Sequence, residues 1–244
     1  MSIKQSLFNL YYSKWDKFAD QLEESNYQCN FAMPFLLDVP DSLEDKFKIM
    51  IYGQETWGWY DGSSLDGWIE KGMLGYKRFF LEKKFYSGYQ KSSFWQAFRF
   101  YEKHIPEILK GKDIAQEPVF IWNNICKLGL GNEKTGVNGL SRALEQKYFD
   151  VVQGEFEIIK PDLVIFLTGP TRDHDIKFNF KDVKFTQAID TFSQRKMALV
   201  DINGIGGLRL YHPAYFSGFN KKYKKDTLEV LKSIINQKLI ISCE

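Results

Sequence analysis

An α/β fold in three layers is what this sequence predicts, with helices on both faces of a central, mainly parallel sheet of four to five strands. Three observations lead there. Short apolar runs recur at 47–52 (FKIMIY), 118–122 (PVFIW) and 162–168 (DLVIFLT), each of strand length and far too short to span a bilayer. Segments with helical spacing lie between them. Strands alternating with helices imply a parallel sheet covered on both sides. No repeat, low-complexity tract or Pro/Ser linker interrupts the chain, so residues 1–244 are expected to form a single domain.

Each element has its own signal. Residues 5–25 read as an amphipathic helix, because Leu7, Leu10, Tyr11, Trp15, Phe18 and Leu22 recur at three- and four-residue steps. Residues 26–45 read as loop, with Pro34 and Pro40. After the first strand, residues 53–75 are rich in Gly and Trp and lack a period, as functional connections often do. Residues 92–110 read as a helix that Pro106 kinks or breaks near its end. A further helix is expected over 139–159. Strands at 196–202 and 207–211 flank Asn203-Gly204, a hairpin signal, and 225–238 closes the chain as a helix. Gly204-Ile205-Gly206-Gly207 lacks phosphate-loop spacing and is read as hairpin geometry only.

Composition excludes several classes. A net charge of +2 rules out a polycation, although the lysines between Lys221 and Lys238 make a local basic segment, either a phosphate-facing patch or a solvated helix face. Cys29, Cys126 and Cys243 are too far apart in sequence for metal-ligand spacing and odd in number, which fits reduced thiols. The N-terminus lacks a signal-peptide pattern, so a cytoplasmic location is expected, with no membrane contact.

Ligands of open α/β sheets bind beyond the carboxyl ends of the strands. Here those ends carry Gly53-Gln54-Glu55, Asn123-Asn124, Thr168-Gly169 and His212-Pro213. A carboxylate, an amide, an imidazole and the indole of Trp57 are expected to converge on one cleft at one edge of the sheet.

In this order, IMIYGQETWGW, VFIWNNICKL, PDLVIFLTG and LRLYHPAYFSG resemble the motifs of the uracil-DNA glycosylase superfamily, over about residues 47–238. The resemblance implies a metal-free, cofactor-free monofunctional glycosylase, a monomer acting on single- or double-stranded DNA. Such an enzyme cuts the N-glycosidic bond of a flipped uracil or other modified base. By that resemblance Gln54 contacts the base through its backbone, and Glu55 takes the place of the water-activating Asp. Trp57 stands where a Tyr closes off the pyrimidine edge. Asn124, or Asn123 in a competing alignment, reads the base. His212 donates a hydrogen bond to the departing base, and Phe216 lies near the apolar wedge. Should the basic segment face phosphates, Lys221 and Lys222 are its expected DNA contacts. Glu55 is one methylene longer than the family's Asp, Thr56 replaces a frequent Pro, and Ala214 replaces the usual Ser. The four cysteines of the iron–sulfur branches are absent. A nucleic-acid- or nucleobase-binding module without activity, or a hydrolase of a small N-glycoside, are the alternative readings.

Overall fold

The computed structural model describes residues 1–25, 30–40, 42–60, 63–89, 91–110, 117–131, 136–215 and 219–241, the last four without their side chains. The fold is α/β, as the sequence predicts. Among the described residues, one sheet has six strands in the order β2-β1-β3-β6-β5-β4. These are β1 (Phe47–Gly53), β2 (Pro118–Asn124), β3 (Leu163–Phe166), β4 (Lys184–Gln187), β5 (Met197–Ile202) and β6 (Ile205–Leu210). β1, β3 and β6 run parallel at the centre, with Ile51 opposite Ile165 and Ile165 opposite Leu208. β5 and β4 extend the sheet antiparallel beyond β6.

Cα packing divides the chain into two compact units, each built from three stretches. The first takes Met1–Asp41, Gln54–Lys84 and Asn124–Lys160, and the second takes Ser42–Gly53, Phe85–Asn123 and Pro161–Glu244.

The second unit contains the sheet with α3 (Ser93–Lys110), α6 (Asp173–Asn179) and α7 (Lys224–Ile241). Every residue of β3 and all but Lys48 of β1 are buried, which is why those runs carry no polar alternation. Tyr52 stacks on Phe166 at 4.6 Å. Gly207 lets β6 approach β3, since a Cβ there would lie 2.4 Å from the Val164 carbonyl oxygen. The hairpin between β5 and β6 turns on Asn203 and Gly204, both at positive φ (52° and 85°), as the Asn-Gly signal demands. α3 runs on through Pro106 to Lys110, so the proline does not break it. The missing N–H, one turn before the helix ends, would have bonded the Glu102 carbonyl, so most of the helix lies before the lesion.

The first unit is helical. α1 (Ile3–Ser25) buries Leu7, Tyr11, Trp15, Phe18 and Leu22, the stripe its spacing predicts. The helix expected over 139–159 is two helices, α4 (Gly139–Tyr148) and α5 (Val152–Ile159). Phe149, Val151 and Val152 are all fully buried, and no single helical face can bury so dense a set. The break turns them inward, and Phe149 stacks on Phe18 at 4.6 Å. α2 (Trp68–Tyr76) lies partly inside the stretch read as irregular. Gly72 and Gly75 obscure its period but are required by packing. A Cβ on Gly75 would come 2.9 Å from the Tyr60 ring.

Candidate functional site

In the sheet unit, the carboxyl ends of β1, β3 and β6 leave from one edge because the three strands are parallel. Just beyond β3, Gly169 takes φ 75° and donates its N–H to the Leu210 carbonyl at 2.8 Å. A Cβ on Gly169 would sit 3.4 Å from the His212 nitrogen, so the 168–170 turn lies directly beside His212. His212 opens a tight turn in which its carbonyl accepts the Tyr215 N–H at 2.8 Å. Its Nδ1 accepts the Ala214 N–H at 3.3 Å. Burial, and then the positive charge of Arg172, lower the His212 pKa to about 4. At neutral pH the imidazole is therefore uncharged. With Nδ1 accepting, its one proton sits on Nε2, a hydrogen-bond donor. Tyr211 and Tyr215 flank it as a parallel stacked pair, 4.7 Å between centroids.

Asn123, at the end of β2, is fully buried, its amide nitrogen 3.7 Å from Met50 Sδ. Successive strand residues face opposite sides, so Asn124 points away from that contact. Asn124 is 1% exposed. Lys221 and Lys222 are both exposed, in a π-helical turn, Phe219–Tyr223, that leads into α7. Phe216 lies outside the described residues.

In the helical unit, the connection after β1 is tied to the one after β2. The Gln54 carbonyl accepts the Cys126 N–H at 2.9 Å, which places Gln54 beside the residues that follow Asn124. Gly129 makes that approach possible, since a Cβ there would meet the Thr56 carbonyl oxygen at 2.3 Å. Glu55 is half-buried, and its Oε1 accepts the Gly136 N–H at 3.0 Å. The two tryptophans divide. Trp59 is buried against Phe35, whereas Trp57 is 64% exposed and so does not serve the core.

The geometry thus groups Gln54 with the loop behind Asn124 in one unit, and His212 with the 168–172 turn in the other. Tyr211 stands at the strand end that the sequence marks, whereas Arg172 and Tyr215 are not singled out by it. The signal for the tyrosine pair was present in the spacing, since Tyr211 and Tyr215 bracket His212 at positions −1 and +3.

Among the described residues, no group of His, Cys, Asp and Glu is arranged to hold a metal. Cys126 is buried and is not in a disulfide, and Cys29 and Cys243 lie outside the described residues. Among the described residues, no helix is long and apolar enough to cross a membrane. No protein-family model matches the chain, and no curated protein matches it.

Proposed function

We propose that the protein hydrolyses the N-glycosidic bond of a flipped uracil or other modified base in DNA, acting as a cytoplasmic monomer without metal or cofactor. The observation that carries this reading is His212, a neutral imidazole with its proton fixed on Nε2 beside the carboxyl end of β6. The order of motifs that resembles the uracil-DNA glycosylases supports it.

The chemistry follows from charge. When the bond between C1′ and the base nitrogen breaks, its electron pair leaves with the base and the sugar becomes an oxocarbenium ion. Nε2–H of His212 donates to the anionic base. A neutral donor suits this role, because it stabilises the anion without having to give up its proton. Glu55 supplies the carboxylate that favours the sugar cation and orients a water, with Gly136 holding one oxygen in place. Water adds to C1′, and its proton ends on the departed base. Trp57, exposed beside Glu55, supplies an aromatic edge for the base, and Asn124 reads it.

One observation favours the second reading, a nucleic-acid binder without excision. Asn123 and Asn124 are both enclosed, so neither amide is presented to a base in this conformation. A panel of duplex and single-stranded oligonucleotides, each with one modified base, separates the two readings. Abasic sites at one base of the panel support hydrolysis, whereas binding with every base left intact supports the binder.

A further inference from the structure

We propose that Tyr211 and Tyr215 form an aromatic clamp that positions His212, which makes Tyr215 a positioning residue for the reaction, acting through the imidazole and not on the base. The inference rests on the hydrolysis reading and deepens it by naming what holds the donor in place.

The stretch Tyr211-His212-Pro213-Ala214-Tyr215 builds a turn from its own residues. Proline fixes the backbone at its own position and biases the residue before it, His212, towards extended backbone. The His212 carbonyl accepts the Tyr215 N–H at 2.8 Å and closes a β-turn with Pro213 at its second position. Inside that turn the Ala214 N–H donates to Nδ1 of His212 at 3.3 Å. Asparagine and aspartate use the same device in tight turns, a side-chain acceptor facing an N–H two residues on. Here it engages the nitrogen that must stay unprotonated if Nε2 is to donate. The bond is long, and a turn of this size has little of its own to keep it shut.

The two tyrosines supply the closure. They stand at either end of the stretch, and their rings stack at 4.7 Å between centroids with 10° between planes. Such stacking is favourable beyond the area it covers. Tyr215 is 52% exposed, so its ring is not placed there to fill a core. Tyr211 is anchored in turn. A Cβ on Gly169 would lie 3.8 Å from both Cα and Cδ1 of Tyr211 and 3.4 Å from the His212 nitrogen, so the turn after β3 forms a wall beside both residues. Gly169 is itself tied to β6 through the Leu210 carbonyl at 2.8 Å. The paired ends of β3 and β6 therefore hold Tyr211, Tyr211 holds Tyr215, and Tyr215 shuts the turn that engages Nδ1.

The test pairs excision with a readout that does not need it. Tyr215→Ala removes the stack, whereas Tyr215→Phe keeps it and removes only the hydroxyl. NMR exchange of the Ala214 amide with solvent reports the bond to Nδ1, and the nitrogen chemical shifts of the imidazole report which nitrogen carries the proton. In the parent and in Tyr215→Phe the amide should be protected and the proton held on Nε2. In Tyr215→Ala the amide should lose its protection and the proton should divide between the two nitrogens, in a chain whose other amide signals stay in place. Single-turnover excision by Tyr215→Ala should be slower by roughly 10- to 100-fold at unchanged DNA affinity, since a small misplacement of a reacting group costs rate and not binding. Tyr215→Phe should excise like the parent. A Tyr215→Ala variant that keeps the protected amide, or one that excises as fast as an active parent, would overturn the proposal. So would a Tyr215→Phe variant as impaired as Tyr215→Ala, because the hydroxyl and not the stack would then be at work. A parent that cleaves no base would remove the hydrolysis reading, and the NMR readout alone would then decide whether the clamp holds the imidazole.

Discussion

Burial, followed by the charge of Arg172, moves His212 from 6.5 to about 4, and this has consequences for both stability and rate. Between those values the unfolded chain binds a proton that the folded chain refuses, so stability must fall as pH drops through that window. His212 contributes fully above its unfolded pKa, and about 2 kcal/mol of that contribution is lost between pH 7 and pH 5. Urea denaturation at the two pH values should show this loss in the parent and not in His212→Gln; equal losses in both would contradict the assignment. The same shift predicts that excision does not respond to titration of His212 at any pH above about 5. An NMR titration should place the imidazole near its low value with the proton on Nε2. An ordinary histidine titration near 6.5 would remove the basis for the neutral donor.

Among the elements, the loop after β2 is secured by a buried ion pair. Lys127 Nζ lies 2.6 Å from Glu155 Oε2, and neither side chain is exposed. Tyr11 of α1 donates to the other oxygen of Glu155 at 2.7 Å and itself accepts the Leu37 N–H at 3.0 Å. Burial lowers the Lys127 pKa, with Glu155 opposing it. Lys127→Met leaves Glu155 buried without its cation and should cost about 3–5 kcal/mol, whereas Lys127→Met with Glu155→Leu should recover much of that loss. Denaturation of the single and double variants checks the pattern. Gly129→Ala drives a methyl into the Thr56 carbonyl, so the Glu55 connection must move and excision should fall even where the fold survives. The buried strands β1 and β3, the partly buried β2 and the stripe of α1 were legible in sequence because burial imposes its own pattern on them. β4 was not, since its Lys184–Gln187 run lies on the sheet edge and is largely exposed, with no apolar side to mark it. The break at Phe149 was hidden because a dense apolar run in sequence looks like a continuous helix. It was packing against Phe18 that required the turn.

At the scale of the molecule, the chain leaves the sheet unit for the helical unit at Gly53/Gln54 and again at Asn123/Asn124. Both transfers fall at strand ends that the sequence marks with Gly, Gln, Glu and Asn. That placement was legible because turn and polar residues stand out against apolar strands. The protonation state of His212 was not, because it depends on burial first and then on the charge of Arg172, far away in sequence. Glu55 and His212 come from opposite ends of the sequence, so one reaction that uses both is the central claim. Single-turnover formation of abasic sites tests it most directly, with the parent, Glu55→Gln and His212→Ala compared on the panel base that the parent cleaves. Each variant should bind DNA like the parent and cleave roughly 100- to 1000-fold more slowly. A parent that cleaves no base, or a Glu55→Gln variant that cleaves as fast as the parent, would contradict it.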